Sequence, residues 1–178
     1  MLISLQQLDK RPFNFNLEIP VGEVEYDSKL IQSSPMHVEG VARLLDQSLG
    51  EIRLDGKLAV TIDGTCDRCL EPARFHIDTD FDLIYMPAAE QLAGDEEVEA
   101  GATEVGFYEG NGLELYDALR EVVLLALPMR LVCREDCKGI CPVCGENRNQ
   151  SGCACEVKAM DDRWSKLKLL QTESARQS

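Results

Sequence analysis

The chain has 178 residues, 44% of them hydrophobic, and a formal net charge of −14. That length suits one compact domain with an appendage, or two small ones, and the apolar content supports a true core. No apolar run approaches the ~20 residues of a membrane span, and Met1 to Phe15 lacks the basic start and apolar run of a secretory signal, so the expectation is a cytoplasmic protein with no membrane partner.

The charge is unevenly placed. Residues 128–178 hold nine Lys/Arg and seven Asp/Glu, while residues 1–127 hold nine basic and 25 acidic residues, a net of −16. Such a body does not attract nucleic acid in bulk, because phosphates are negative too. Any RNA contact is expected to be local and near the C-terminal part. Solubility alone also accounts for the acidity.

Residues 1–12 are a weakly patterned entry with Ile3, Leu5 and Leu8 apolar. Phe13, Phe15, Leu17 and Ile19 then alternate with Asn14, Asn16, Glu18 and Pro20, the period of a half-buried strand, with Pro20 marking an edge or an end. Residues 21–36 read as loop with room for a short strand. Val38 to Leu45 is a second strand, and residues 46–50 are a turn. In the next run Ile52, Leu54, Leu58, Val60 and Ile62 face one way, and Arg53, Asp55, Lys57, Thr61 and Asp63 the other. After a C-D-R-C turn, Phe75, Ile77, Phe81, Leu83 and Tyr85 alternate with charged neighbours. Pairing Ile62 with Phe75 and Ile52 with Tyr85 makes an antiparallel hairpin. It sets Asp63 opposite Arg74 and Lys57 opposite Asp80, which helps, and Asp55 opposite Asp82, which does not.

Residues 87–112 carry seven acidic residues and no basic ones, and read as an acidic loop or solvated linker. Asn111 with Glu114 looks like a helix N-cap and its N3 partner. Leu115, Leu119, Val122 and Ala126, flanked by Tyr116, Val123 and Leu127, recur at helical spacing until Pro128. Such a helix belongs across the apolar face of the sheet. Near the end, Asp161 or Asp162 can cap a short helix with Trp164, Leu167 and Leu170 on one face; Gln171 to Ser178 looks frayed.

All eight cysteines fall into close pairs. Cys66 and Cys69 form C-D-R-C, and Cys133, Cys137, Cys141, Cys144, Cys153 and Cys155 crowd into 23 residues. Two thiolates on a tight turn converge on one ion, and a second pair completes the tetrahedron. Cys141-Pro142-Val143-Cys144-Gly145 is the most specific piece: Pro stiffens the turn, and Gly can take positive φ and let backbone N–H groups face the sulfurs. Four disulfides would want a secreted cystine scaffold. A redox role for Cys66 and Cys69 would want a helix N-terminus, and their flanks read as strands.

Two sites of four is the natural count. The preferred partition joins Cys66, Cys69, Cys133 and Cys137, a tie that would staple the C-terminal half to the β domain, and joins Cys141, Cys144, Cys153 and Cys155 in a local knuckle. A second joins Cys133, Cys137, Cys141 and Cys144 and gives Cys66 and Cys69 to Cys153 and Cys155. A third has one metal and several free thiols. The expected cofactor is zinc, one to two ions, structural because four thiolates leave no open position. Iron suits four thiolates as well, and a C-x-x-C pair with C-P-x-C-G resembles rubredoxin, a one-electron carrier.

Together these elements predict an α+β fold: an antiparallel β-sheet with a long hairpin packed by one main helix, plus a C-terminal cysteine-rich zinc-knuckle segment. The expected boundaries are 1–127 for the β domain, with the acidic loop at 87–112 and the packing helix at 113–127, and 128–178 for the metal-binding segment and short C-terminal helix. No enzyme is expected. There is no G-x-S-x-G, Walker A, G-x-G-x-x-G after a strand or H-E-x-x-H, and nothing nearby orients His37 or His76 as a base. No small-molecule substrate is indicated.

With these residues in view, the chain resembles the YceD family, the large ribosomal RNA subunit accumulation proteins. Three features carry the likeness in order: C-D-R-C-L-E-P from Cys66 to Pro72; L-A-L-P from Leu125 to Pro128 running into C-x-x-x-C-K-G-I-C-P-V-C-G; and D-D-R-W-S-K-L from Asp161 to Leu167. Where the family often shows Pro before Arg163, this chain has Asp162. The resemblance implies a bacterial or organellar factor supporting the synthesis, processing or stability of 23S rRNA, without a defined enzymatic activity. The implied partners are large-subunit rRNA, a ribosomal protein or a pre-ribosomal particle. Residues placed to touch them are Arg68, Arg130, Arg134, Lys138, Arg148, Arg163, Lys166 and Lys168, which otherwise offset thiolate charge or solvate the surface. The acidic body also fits an interaction module or chaperone that shields a basic ribosomal protein.

Overall fold

A computed structural model describes residues 1–26, 29–45, 50–88, 105–150 and 152–155. The chain divides into two compact units, one of Met1–Asp67 with Glu71–Glu135, the other of Arg68–Leu70 with the chain from Asp136 onward.

The first unit is mostly β. Its elements in order are β1 (Leu2–Ser4), α1 (Leu5–Leu8), β2 (Phe13–Ile19), β3 (Ile31–Gln32), β4 (Met36–Leu44), β5 (Ile52–Thr65), β6 (Pro72–Pro87), β7 (Val105–Tyr108), β8 (Gly112–Glu114) and α2 (Leu115–Ala126). A six-stranded sheet runs β2-β4-β5-β6-β7, with β3 also paired to β5, and β1 and β8 make a separate two-stranded sheet. Neighbours are antiparallel except β6 and β7, which are parallel. The class is therefore α+β, a mixed and largely antiparallel sheet with few helices.

Alternation decides the faces. Along β5, Ile52, Leu54, Leu58, Val60 and Ile62 are buried; along β6, so are Ala73, Ile77, Phe81, Leu83 and Tyr85. All of these except Ala73 join Met36, Val38 and Ala42 of β4 and Leu115, Ala118, Leu119, Val122 and Val123 of α2 in one core. Each large apolar side chain so buried contributes about 1.5–3 kcal/mol. Ala126 and Leu125, at the end of the helix, are exposed.

The β5–β6 register pairs Ile62 with Phe75 and Ile52 with Tyr85. Two glycines sit side by side at the middle of the sheet, Gly40 opposite Gly56. Phe15 lies opposite Gly40 and Phe81 opposite Gly56, and the rings fold over the bare backbone: a Cβ on Gly40 would stand 2.7 Å from the Phe15 ring, and one on Gly56 2.9 Å from the Phe81 ring.

The outer face is charged. Asp82 does stand opposite Asp55, but each carboxylate finds a diagonal partner: Arg43 pairs with Asp55, and Arg53 Nε donates to Asp82 Oδ1 at 2.7 Å. The hydrogen bond from Arg53 holds the Asp82 carboxyl below its ordinary range, and Arg74 does the same for Asp63. Lys57 and Asp80 are 3.6 Å apart.

Residues 1–12, read only as a weakly patterned entry, hold β1 and α1, which bury Ile3 and Leu8. Two expectations are corrected. The acidic stretch at 87–112 is not all loop: Val105–Tyr108 is β7 and Gly112 begins β8. Tyr108 is buried and its hydroxyl donates to Gly50 O at 2.6 Å, while bare Gly106 leaves room for the Tyr85 ring, whose Cε1 would lie 2.4 Å from a Cβ there. Tertiary pairing outweighs a composition that favours solvent. The helix begins at Leu115, not after an Asn111 cap: Asn111 O accepts from Leu5 N at 2.9 Å, and the first helical N–H, that of Leu115, donates to Met1 O at 2.9 Å. An acceptor from the far N-terminal end of the chain, Met1 O, replaces the local cap. Residues 46–49, 89–104 and the expected helix after Asp161 lie outside the described residues.

Among the described residues no helix is long and apolar enough to cross a membrane.

Candidate metal centres

The two C-x-x-C turns are built alike. Cys66 follows the end of β5, and its N–H donates to Glu71 O at 2.8 Å; Cys141 N donates to Glu146 O at 2.8 Å. In each, the residue after the second cysteine has positive φ: 60° at Leu70 and 75° at Gly145. Both turns read C-x-x-C-x-E, a correspondence visible in the chain. In the second, Gly145 N also donates to Cys141 O at 2.8 Å. The positive-φ residue turns the backbone so that amide N–H groups face inward, the concave arrangement that holds anions and thiolates.

The approach of Cys133 is set by a reciprocal pair of bonds. Asp67 N donates to Leu131 O at 2.7 Å, and Leu131 N to Asp67 Oδ2 at 2.7 Å. In the second unit, Ile140 N donates to Arg68 O at 2.9 Å, and Arg68 Nη1 to Cys137 O at 3.0 Å. Gly139, with φ of 70°, must be bare there, because a Cβ would stand 2.9 Å from Arg68 O.

The cysteines assemble in two groups, Cys66 with Cys69, Cys133 and Cys137, and Cys141 with Cys144, Cys153 and Cys155; within each group the sulfurs lie within 4.8 Å of one another. That grouping is the preferred partition, and not the one that joins Cys133, Cys137, Cys141 and Cys144. Four thiolates at about 2.3 Å from one tetrahedral ion stand about 3.8 Å apart, so each group fits an ion with little movement. Either group could hold a metal, and neither leaves a position for a substrate. Cys66, Cys69 and Cys137 are buried and Cys133 is exposed; in the other group only Cys141 is buried.

The electrostatics of the second group favour a cation. The backbone N–H groups of Cys144 and Val143, with help from Cys153, lower the Cys141 thiol to about 6. Its neighbours respond in the opposite sense: hydrogen bonding to Cys144, burial and the nearby negative sulfurs push Cys155 up to about 12, and hydrogen bonding to Cys141 raises Cys153. One sulfur ionises readily, and Cys153 and Cys155 resist. A divalent ion removes that conflict, since coordinated thiols are deprotonated outright.

The residues expected to touch a partner are spread out. Arg130 and Arg134 are exposed in the first unit, and Arg68, Lys138 and Arg148 in the second. Arg68 already spends one guanidinium nitrogen on Cys137 O. Arg163, Lys166 and Lys168 lie outside the described residues. His37 and His76 are exposed on strands, with His76 Nδ1 3.1 Å from Thr61 Oγ1. Sequence reasoning passed over Asn147 and Asn149. Asn147 Oδ1 accepts from Asn149 N at 3.0 Å, and Asn149 Nδ2 donates to Cys137 Sγ at 3.4 Å. The Asn-x-Asn spacing between cysteine pairs was the available signal, since Asn side chains bond the backbone two residues on.

The family model described as large ribosomal RNA subunit accumulation protein YceD matches residues 54–171, from within β5 through both cysteine turns. The chain belongs to the YceD family. An uncharacterised protein of Mycobacterium tuberculosis is 34% identical over 117 residues, which is 65% of this chain and 54% of that protein. A chloroplastic YCED homolog 1 of Zea mays, named as a large ribosomal RNA subunit accumulation protein, is 27% identical over 133 residues, 61% of this chain and 45% of the maize protein. The match thus spans about half the length of these YceD relatives. No solved structure matches.

Proposed function

We propose that this protein is a non-enzymatic factor in large-subunit ribosome biogenesis that supports 23S rRNA accumulation in the bacterial cytoplasm. Two structural zinc ions hold its cysteine turns. The observation that carries the metal part is the gathering of eight cysteines into two groups of four, each with its sulfurs within 4.8 Å. The rRNA part rests on membership of a family named for that role. We read β5 and β6 as one long hairpin with the first cysteine turn between them, and α2 as its main packing helix.

Two experiments test this. Protein purified without added metal should contain two equivalents of zinc and be colourless; a red-brown iron protein would replace zinc with a rubredoxin-like centre. In a strain lacking the gene, the ratio of 23S to 16S rRNA should fall and be restored by the wild type but not by Cys66→Ser/Cys69→Ser. An unchanged ratio removes the biogenesis reading.

The charge favours one particular mode of action. With −16 on residues 1–127, the body suits a basic ribosomal protein better than naked rRNA. Salt-sensitive binding to such a protein, and not to rRNA fragments, supports a chaperone role. Binding to rRNA fragments that is weakened by charge reversal at Arg130, Arg134, Lys138 and Arg148 would instead make those residues the RNA contact.

A further inference from the structure

The segment between Cys144 and Cys153 lies back along the stretch that joins the two cysteine groups. Cys141 N donates to Glu146 O at 2.8 Å, Arg148 N to Gly139 O at 2.9 Å, and Ile140 pairs with Asn147 in an antiparallel bridge. At the end of this ribbon stands Asn149. Its Oδ1 accepts from the backbone N–H of Lys138 at 2.9 Å. A backbone N–H can only donate, so that atom must be the oxygen, and the orientation of the amide follows. Its Nδ2 therefore faces Cys137 Sγ at 3.4 Å and Asn147 Oδ1 at 2.9 Å. One N–H goes to each, so both amide hydrogens are used.

Cys137 belongs to the first group, whereas Asn149 lies in the segment whose ends, Cys144 and Cys153, belong to the second. We propose that Asn149 is a positioning residue that couples the two metal centres, so that filling either one raises the affinity of the other. This rests on the metal reading above. An ion at the second centre pins Cys144 and Cys153 and so narrows the conformations open to the segment between them. Asn149 is then held where its N–H reaches the Cys137 thiolate. That bond draws off charge from a centre that carries −2 when four thiolates hold one divalent ion. Outer partners of this kind are worth about 10–100-fold in metal affinity. Linkage makes the effect reciprocal: an ion at the first centre raises affinity at the second by the same factor.

The test uses the full chain, stripped of metal under reducing and anaerobic conditions and titrated with cobalt(II). Native mass spectrometry counts ions per chain, and the cobalt–thiolate absorption reports tetrahedral sulfur coordination. In the wild type, the one-ion species should be scarcer than independent binding allows. Asn149→Ala should accumulate that species and weaken the first centre about tenfold. Asn149→Asp keeps the volume and the acceptor for Lys138 N but turns a carboxylate on the thiolate, and it should weaken the centre at least as much. A protein that had merely failed to fold would lose the tetrahedral spectrum altogether. Cys153→Ser/Cys155→Ser, which empties the second centre, should lower first-centre affinity by the same factor, with no further loss when Asn149→Ala is added. If Asn149→Ala loads as the wild type does, or if the losses simply add, the coupling is overturned while the metal reading stands. If the wild type takes up fewer than two ions, both fall.

Discussion

Leu70 holds a φ of 60° with 63% of its surface exposed. Outside glycine the left-handed region costs about 1–2 kcal/mol, and an exposed leucine gains little packing to offset it. Gly145, at the matching place in the other turn, adopts its φ of 75° without that cost. Leu70→Gly should therefore stabilise the metal-loaded protein by about 1 kcal/mol, read as a raised midpoint of thermal unfolding, although a new glycine ordinarily destabilises. A lowered midpoint would mean that the leucine side chain makes contacts worth more than its backbone strain. The cysteine pairs themselves were legible because their spacing is their chemistry. The conformation of Leu70 was not, because nothing in a leucine announces positive φ. The Asn-x-Asn spacing marked Asn149 as a turn residue, but not its bond to Cys137, which depends on a ribbon that only the folded segment forms.

At the scale of elements, the pairing of β5 with β6 could be read from alternation alone. A slip of one residue would turn Ile52, Leu54, Leu58, Val60 and Ile62 to solvent together, so the register is strongly specified. The relief of Asp55 and Asp82 by Arg43 and Arg53 was hidden, because diagonal partners depend on the twist and on a third strand. The start of α2 was misread for a similar reason: its first N–H is satisfied by Met1 O, which lies far away in the chain. The two facing glycines show why strand propensity alone misleads. Replacing a strand glycine by alanine usually helps, yet a Cβ on Gly56 would stand 2.3 Å from Glu39 O and 2.9 Å from the Phe81 ring. Gly56→Ala should therefore cost about 1–3 kcal/mol, measured as a lower denaturant midpoint with an unchanged slope. A neutral or stabilising result would show that β4 can yield at Glu39 without loss.

At the scale of the whole molecule, the two units draw their order from different sources. The first has a continuous apolar core from Ile3 to Val123, and that burial suffices to hold a sheet. The second has no such core among its described residues. Among the described residues from Asp136 to Cys155 only Cys137, Gly139 and Cys141 are buried, while Ile140 and Val143 are 40% and 60% exposed. Segments too small to bury a core depend on disulfides or metal, and here the thiols stand in two groups of four. When binding and folding are linked in this way, removing the ion removes the structure. Stripping the metal with a chelator under reducing conditions should therefore leave the sheet intact and unfold the cysteine segment. Hydrogen exchange separates the two. Amides paired across β4, β5 and β6 should keep their protection, while those of Ile140, Cys141, Gly145 and Arg148, which bond to carbonyls in the second unit, should exchange as in a free chain. On the zinc reading proposed above, restored zinc should restore them. If those four amides stay protected without metal, the ribbon holds itself by backbone bonds alone, and the cysteines would then be needed for something other than order.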